Sequence, residues 1–254
     1  MPRLLILADL HYRKPWFDWL ADNVSAFGSV VLAGDLISHP KQFGSSPYLP
    51  DWDGGPTPSH ILQAYHIGER LKECKPRFLA ACSGNHDIPD LFTGYLVGPA
   101  ACVDGETKHL PSDGIVFTSI PFVDENGRSS VTLDAAWPAT PPPISDFWIL
   151  LHHVPPLGIN LCPRAKGHHA LEARLRATGT RTPDLVCCGH FHHPPGWCER
   201  IGTSWVVNPG SLDSNESTEL RPIPPHIIAD LNTRTLTWHS GIADCAPVLQ
   251  SLDA

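Results

Sequence analysis

Over the first hundred residues, short aliphatic runs alternate with longer amphipathic segments. Residues 4–8 (Leu-Leu-Ile-Leu-Ala) form a continuous apolar run, the pattern of a buried strand. Pro15 suits a first helical position and predicts a helix through residue 26. Ser29–Ala33 predicts a second buried strand. Residues 38–56 are polar and rich in Gly and Pro, the signature of a surface loop beside a site. Thr57-Pro58 opens a helix carrying Ile61, Leu62, Tyr65 and Leu71, and residues 77–82 predict a third strand. This βαβαβ order implies parallel strands with their carboxyl ends on one edge. Further along, Ile115–Ser119, Phe147–Leu151, residues 184–188 and Ser204–Val207 predict strands, with a helix over 170–177. Residues 225–231 and Thr235–His239 flank Asn232-Thr233-Arg234 as a hairpin. The proline run near residues 139–143 lies between strands and predicts an ordered surface loop. No repeat divides the chain, so a single domain over residues 1–254 is the simplest expectation.

Composition narrows the class. Twenty-seven prolines in 254 residues, about twice the usual share of about 5%, interrupt helical periodicity too often for a bundle and favour a loop-rich α/β protein. Asp and Glu outnumber Lys and Arg by 26 to 18, a formal charge of −8. Long nucleic acid held by phosphate neutralisation is therefore not an expected partner. The eight cysteines show no CxxC spacing, and several lie in apolar runs such as Leu185-Val186-Cys187-Cys188. Buried thiols and a cytoplasmic location are expected. The N-terminal apolar run is too short for a signal peptide or a membrane span.

Fifteen histidines are an unusually large number for this chain length, and their positions are informative. Polar residues follow five strands: Asp9-Leu10-His11, Gly34-Asp35, Ser83-Gly84-Asn85-His86-Asp87, His152-His153 and Gly189-His190-Phe191-His192. Carboxylate, amide and imidazole thus reach the carboxyl edge, where open α/β sheets place their sites. Oxygen and imidazole donors without thiolate fit Mn, Fe, Ni or Zn in a hydrolytic site better than a structural zinc. The donor number exceeds what one ion needs, which suggests two ions sharing a carboxylate.

This set of motifs, spanning residues 9–192, resembles the signature of the calcineurin-like metallophosphoesterase superfamily, in the manner of its small, single-domain prokaryotic members. Asn208-Pro209-Gly210-Ser211 resembles a turn that such members carry. The resemblance implies a four-layer α/β/β/α sandwich, two mixed β-sheets flanked by helices, where the strand order alone yields only the parallel half. It also implies that Asp9, His11, Asp35 and His192 hold one metal and Asp35, Asn85, His153 and His190 the other. A metal-bridging hydroxide would then attack small phosphodiesters or phosphomonoesters in line. By the same resemblance His86 would protonate the leaving group and Asp87 would hold its other ring nitrogen. His86 stands where the sugar-lipid pyrophosphatase branch typically has arginine, which argues against that branch.

Strand alternation and the following Val154-Pro155-Pro156 favour His153 over His152 as the ligand. His193 is read as supporting or solvated, and His168-His169 as the opening of a helix. His39 is open between reaching the substrate and an exposed loop, and Arg164 or Lys166 between meeting a phosphate or substrate carboxylate and a solvated loop cation; Trp197 is the aromatic residue nearest the motifs in sequence. A catalytically silent scaffold on the same fold is the rival reading, opposed by the complete donor set. Oligomeric state is open.

Overall fold

The computed structural model describes residues 3–37, 58–74, 78–88, 92, 94, 102–123, 132–157, 160–162, 167–212, 221–242 and 245–253. The expected loop at 38–56 with His39, and Arg164 and Lys166, lie outside the described residues.

Two six-stranded sheets make up the centre. In the first, β1 (Arg3–Leu7), β2 (Ser29–Ala33) and β3 (Leu79–Cys82) pair in parallel. β10 (His226–Asp230), β11 (Thr235–His239) and β12 (Val248–Ser251) extend it antiparallel, giving the order β12-β11-β10-β1-β2-β3. In the second, β5 (Ile115–Ser119), β6 (Phe147–Leu151), β7 (Leu185–Cys187) and β9 (Ser204–Val207) are parallel. Antiparallel β4 (Thr107–Leu110) and β8 (Cys198–Ile201) close its two edges, giving β4-β5-β6-β7-β9-β8. Among the described residues the continuous α-helices are α1 (Lys14–Asn23), α2 (Pro58–Cys74), α3 (Leu133–Ala136) and α4 (His169–Arg176).

Strand periodicity explains the layers. Side chains alternate across a strand, so on β1 Leu4 and Ile6 enter a core shared with Phe117, Ile149, Leu151 and Val207 of the other sheet. Leu5 and Leu7 point the opposite way and pack with Trp16, Phe17 and Leu20 of α1 and Ala64, Ile67 and Leu71 of α2. On the far side Leu150, Val186 and Val206 pack with Leu133, Leu171 and Leu175 from α3 and α4. The strands read as continuous apolar runs because both faces are covered.

The sequence-derived elements match with small shifts. The first helix begins at Lys14, with Pro15 in its first turn, and ends at Asn23, followed by a 3-10 turn over Val24–Ala26. Strands β4, β8 and β12 and the short helix α3 were not expected. The proline-rich loop is ordered: the Arg181 guanidinium donates to the carbonyls of Pro142, Pro143 and Asp146. Cys82, Cys102, Cys162, Cys187, Cys188, Cys198 and Cys245 are free thiols. No helix among the described residues is long and apolar enough to cross a membrane.

Candidate metal centre

The carboxyl ends of both sheets converge on one place. Asp9 and His11 follow β1, Asp35 follows β2, and Asn85, His86 and Asp87 follow β3. His152 and His153 follow β6, and His190 and His192 follow β7. The strand ends are tied to one another by backbone hydrogen bonds. Asp9 N–H donates to Gly34 O (3.0 Å), His11 N–H to Asp35 O (2.9 Å), and Gly189 N–H to His153 O (2.9 Å). Ser211 Oγ donates to Asp9 O at 2.6 Å, and Asn208 Nδ2 donates to the carbonyls of Gly189 and Phe191. The turn singled out at 208–211 thus braces the loops after β1 and β7.

Asp9 and Asp35 are buried, and among the described residues their ion-pair partners are imidazoles alone. His192 Nε2 lies 3.7 Å from Asp9 Oδ1 and 2.9 Å from His11 Nε2. His153 Nε2 lies 3.3 Å from Asp35 Oδ2 and 3.2 Å from Asn85 Oδ1, and His190 Nδ1 lies 2.8 Å from the same Asn85 oxygen. Three sets of donor atoms come within 4.8 Å of one another: Asp9, His11 and His192; Asp9, Asp35 and His153; His11, Asp35 and His86.

His152 and His153 separate as strand alternation requires. His153 donates from Nδ1 to Ala33 O (2.8 Å), which leaves Nε2 toward the carboxylates. His152 turns away, with Nδ1 hydrogen-bonded to Val154 O (2.7 Å) and its ring edge-on to His168. His168 caps α4, accepting from Leu171 N–H, and His169 begins that helix. His193 is exposed, and Trp197 stacks on Trp238.

Asp87 lies between the loops after β2 and β3. Its Oδ1 accepts from the backbone N–H groups of Leu36 and Ile37 and its Oδ2 from Gly84 N–H, so both oxygens hold the loops after β2 and β3. A carboxylate is short enough to bridge two tight turns there, and it serves the backbone rather than the His86 ring. His86 N–H donates to Asp35 Oδ1 (2.8 Å), and His86 Nε2 lies 3.7 Å from Asp35 Oδ2.

The electrostatics suit cations. Burial and the Asp35 charge push Asp9 up, against the pull of His153, to about 6. Burial opposes ionisation of Asp35, yet His153, His86 and His11 hold it well below the usual carboxylate range. Burial would lower His153, but Asp35 and Asp9 raise it to about 10. His11 and His190 are pushed by burial down to about 3, leaving neutral imidazoles with available lone pairs. Two buried carboxylates at close quarters and several uncharged imidazoles form a donor set suited to divalent ions. The residues present therefore fit metal binding.

Two contributors to the site escaped the sequence reading. Tyr12, next to His11, anchors the turn by donating its N–H to Leu36 O (2.8 Å). Asp104 accepts from Ser83 N–H (2.8 Å) ahead of the Gly84-Asn85-His86-Asp87 motif. Tyr12 could have been found by adjacency, whereas Asp104 carries no local signal.

The calcineurin-like phosphoesterase superfamily domain model matches residues 61–223. No curated protein sequence matches the chain. One solved structure is 13% identical with a TM-score of 0.60, covering 99% of this chain and 100% of its own. TT1561 of Thermus thermophilus is 14% identical with a TM-score of 0.57, covering 99% of each chain. Yfce, a phosphoesterase from E. coli, is 15% identical with a TM-score of 0.48, covering 98% of this chain and 99% of its own. The likenesses with TM-scores of 0.60 and 0.57 speak to fold, and the family model covers well over half the sequence. The chain belongs to the calcineurin-like phosphoesterase superfamily.

Proposed function

We propose that the chain acts as one domain, a dinuclear metal-dependent phosphoesterase that hydrolyses small phosphodiesters or phosphomonoesters. The buried Asp9 and Asp35 pair, ringed by imidazoles and without Lys or Arg partners among the described residues, carries this reading. Asp9, His11 and His192 would hold one ion and Asn85, His153 and His190 the other, with Asp35 between them. Bound Mn, Fe, Zn or Ni supplies Lewis acidity toward a phosphoryl group and toward water.

The protein groups divide the remaining work. The Asp35 carboxylate, fixed by His86 N–H, keeps the two donor sets in register. Ala33 O orients the His153 ring through Nδ1, the usual way a ligating imidazole is held in one tautomer. His86, with its side chain 23% exposed, stands at the mouth. Its Nε2 can deliver a proton to the departing oxygen. A formal charge of −8 over the chain disfavours long polyanions while a cation-loaded pocket attracts a small phosphate ester.

The test is hydrolysis of bis-p-nitrophenyl phosphate by the Mn-reconstituted protein, with metal content measured alongside. Asp35→Ala is expected to lower turnover at least about 100-fold and to reduce the bound ions below two per chain. Undiminished activity in that variant would overturn the shared-ligand role of Asp35.

A further inference from the structure

A cavity of about 230 Å³ lies in the groove between α1 and α2, outside the metal-ligand set. Phe17 and Ile67, both almost fully buried, supply an apolar floor. Tyr12 and His66 supply a flat wall: their rings lie within 13° of parallel, and the Tyr12 hydroxyl is hydrogen-bonded to His66 Nδ1 at 2.6 Å. That volume falls below the range of drug-sized sites, about 300–1,000 Å³, and suits a single ring.

Among the described residues, the charges around the cavity leave one cation without an ion-pair partner. Arg70 pairs with Asp18, and Glu69 pairs with Lys72 at 2.8 Å. Lys14, in the first turn of α1, has no carboxylate partner among the described residues. An apolar floor, a flat aromatic wall and an exposed ammonium without a partner among the described residues suit a planar ring bearing a single negative charge. We propose that the α1–α2 cavity is a binding site for a small aromatic monoanion, with the ring against Tyr12, Phe17 and Ile67 and the anionic group on Lys14.

The site adjoins the metal centre through one covalent step. Tyr12 follows His11, and successive N–H groups of His11 and Tyr12 hydrogen-bond to the carbonyls of Asp35 and Leu36. A ligand pressing on the Tyr12 ring therefore bears on the turn that carries two of the metal-ligand candidates. The proposal itself is independent of the chemistry assigned to that centre.

Benzenesulfonate is the probe, titrated into metal-free full-length protein and followed by calorimetry and by NMR shifts of Ile67 methyl and Tyr12 ring signals. Binding with Kd at or below about 1 mM is expected for a ligand of this size, with shifts at both residues. Lys14→Glu is expected to weaken it at least about tenfold, Lys14→Arg to retain it, and neutral benzenesulfonamide to bind correspondingly worse. Equal binding to the Lys14→Glu variant, equal binding of the neutral isostere, or no shift at Ile67 and Tyr12 would each overturn the proposal.

Discussion

Asp9, His11, Asp35 and His190 all adopt left-handed backbone, with φ of 52°, 44°, 52° and 69°. Asp and His tolerate this region better than most residues, at a cost of order 1–3 kcal/mol each. Neighbouring glycines make room for the side chains so turned. A Cβ at Gly84 would overlap the Asp35 carboxylate, and one at Gly189 would come within 2.6 Å of Asp9 Oδ2. Gly84→Ala is accordingly expected to lower metal content while circular dichroism shows an intact fold. For His86→Ala, alkyl phosphate esters should lose about 10²–10⁴-fold in turnover, and p-nitrophenyl esters far less, because only the poor leaving group needs a proton. Equal losses on both substrates would remove His86 from the acid role. Asp87→Ala would strip acceptors from three backbone N–H groups. Its cost is about 2–4 kcal/mol, readable as a lower denaturation midpoint. The motif residues were legible in sequence because each follows an apolar run. The duty of Asp87 was not, since its partners Leu36 and Ile37 lie some fifty positions away.

Among the secondary elements, legibility followed burial. Strands β1, β2, β5, β6 and β9 are almost wholly enclosed and read as unbroken apolar stretches. Strands β4, β8 and β12 lie at sheet edges with mostly exposed or half-exposed side chains. An edge strand gains its pairing from a neighbour already in place, so its own pattern need not be apolar. Helix α1 depends on Trp16, fully buried with Nε1 donating to Arg221 O at 3.0 Å. Trp16→Ala is expected to cost about 3–5 kcal/mol, measured by urea denaturation. Because α1 follows directly on the Asp9–His11 turn, metal affinity should fall with it.

Across the whole molecule, buried neutral histidines make stability depend on pH. Burial and the neighbouring His168 lower His152 to about 3, and burial together with His239 lowers His226 to about 4. The ordinary value is 6.5, so between these limits the unfolded chain binds protons that the folded chain refuses. Stability from these groups is complete above about pH 6.5 and is lost as pH falls toward 3–4. The slope is about 1.4 kcal/mol per pH unit for each group in the middle of the window. Denaturation at pH 7 and pH 5 should show the loss, and His226→Gln should reduce it. An unchanged difference in that variant would assign the acid sensitivity elsewhere.

The amino-acid order by itself determined the strand cores, the donor residues behind them and the resemblance that named two mixed sheets. Local periodicity and chain adjacency suffice for the cores and the donors, and the motif set carries the resemblance. The family-model match begins at residue 61, yet Asp9, His11 and Asp35 were recognisable upstream because each lies just beyond the end of a strand. Only the tertiary structure decided which strand ends meet. Donors behind β1, β2 and β3 face donors behind β6 and β7 because the two sheets share one core, which brings together residues from 68 to 181 positions apart. It also decided the α1–α2 cavity, where Tyr12 and His66 meet from elements 54 positions apart. Such contacts arise from packing free energy summed over the whole chain, and no short window of sequence contains them.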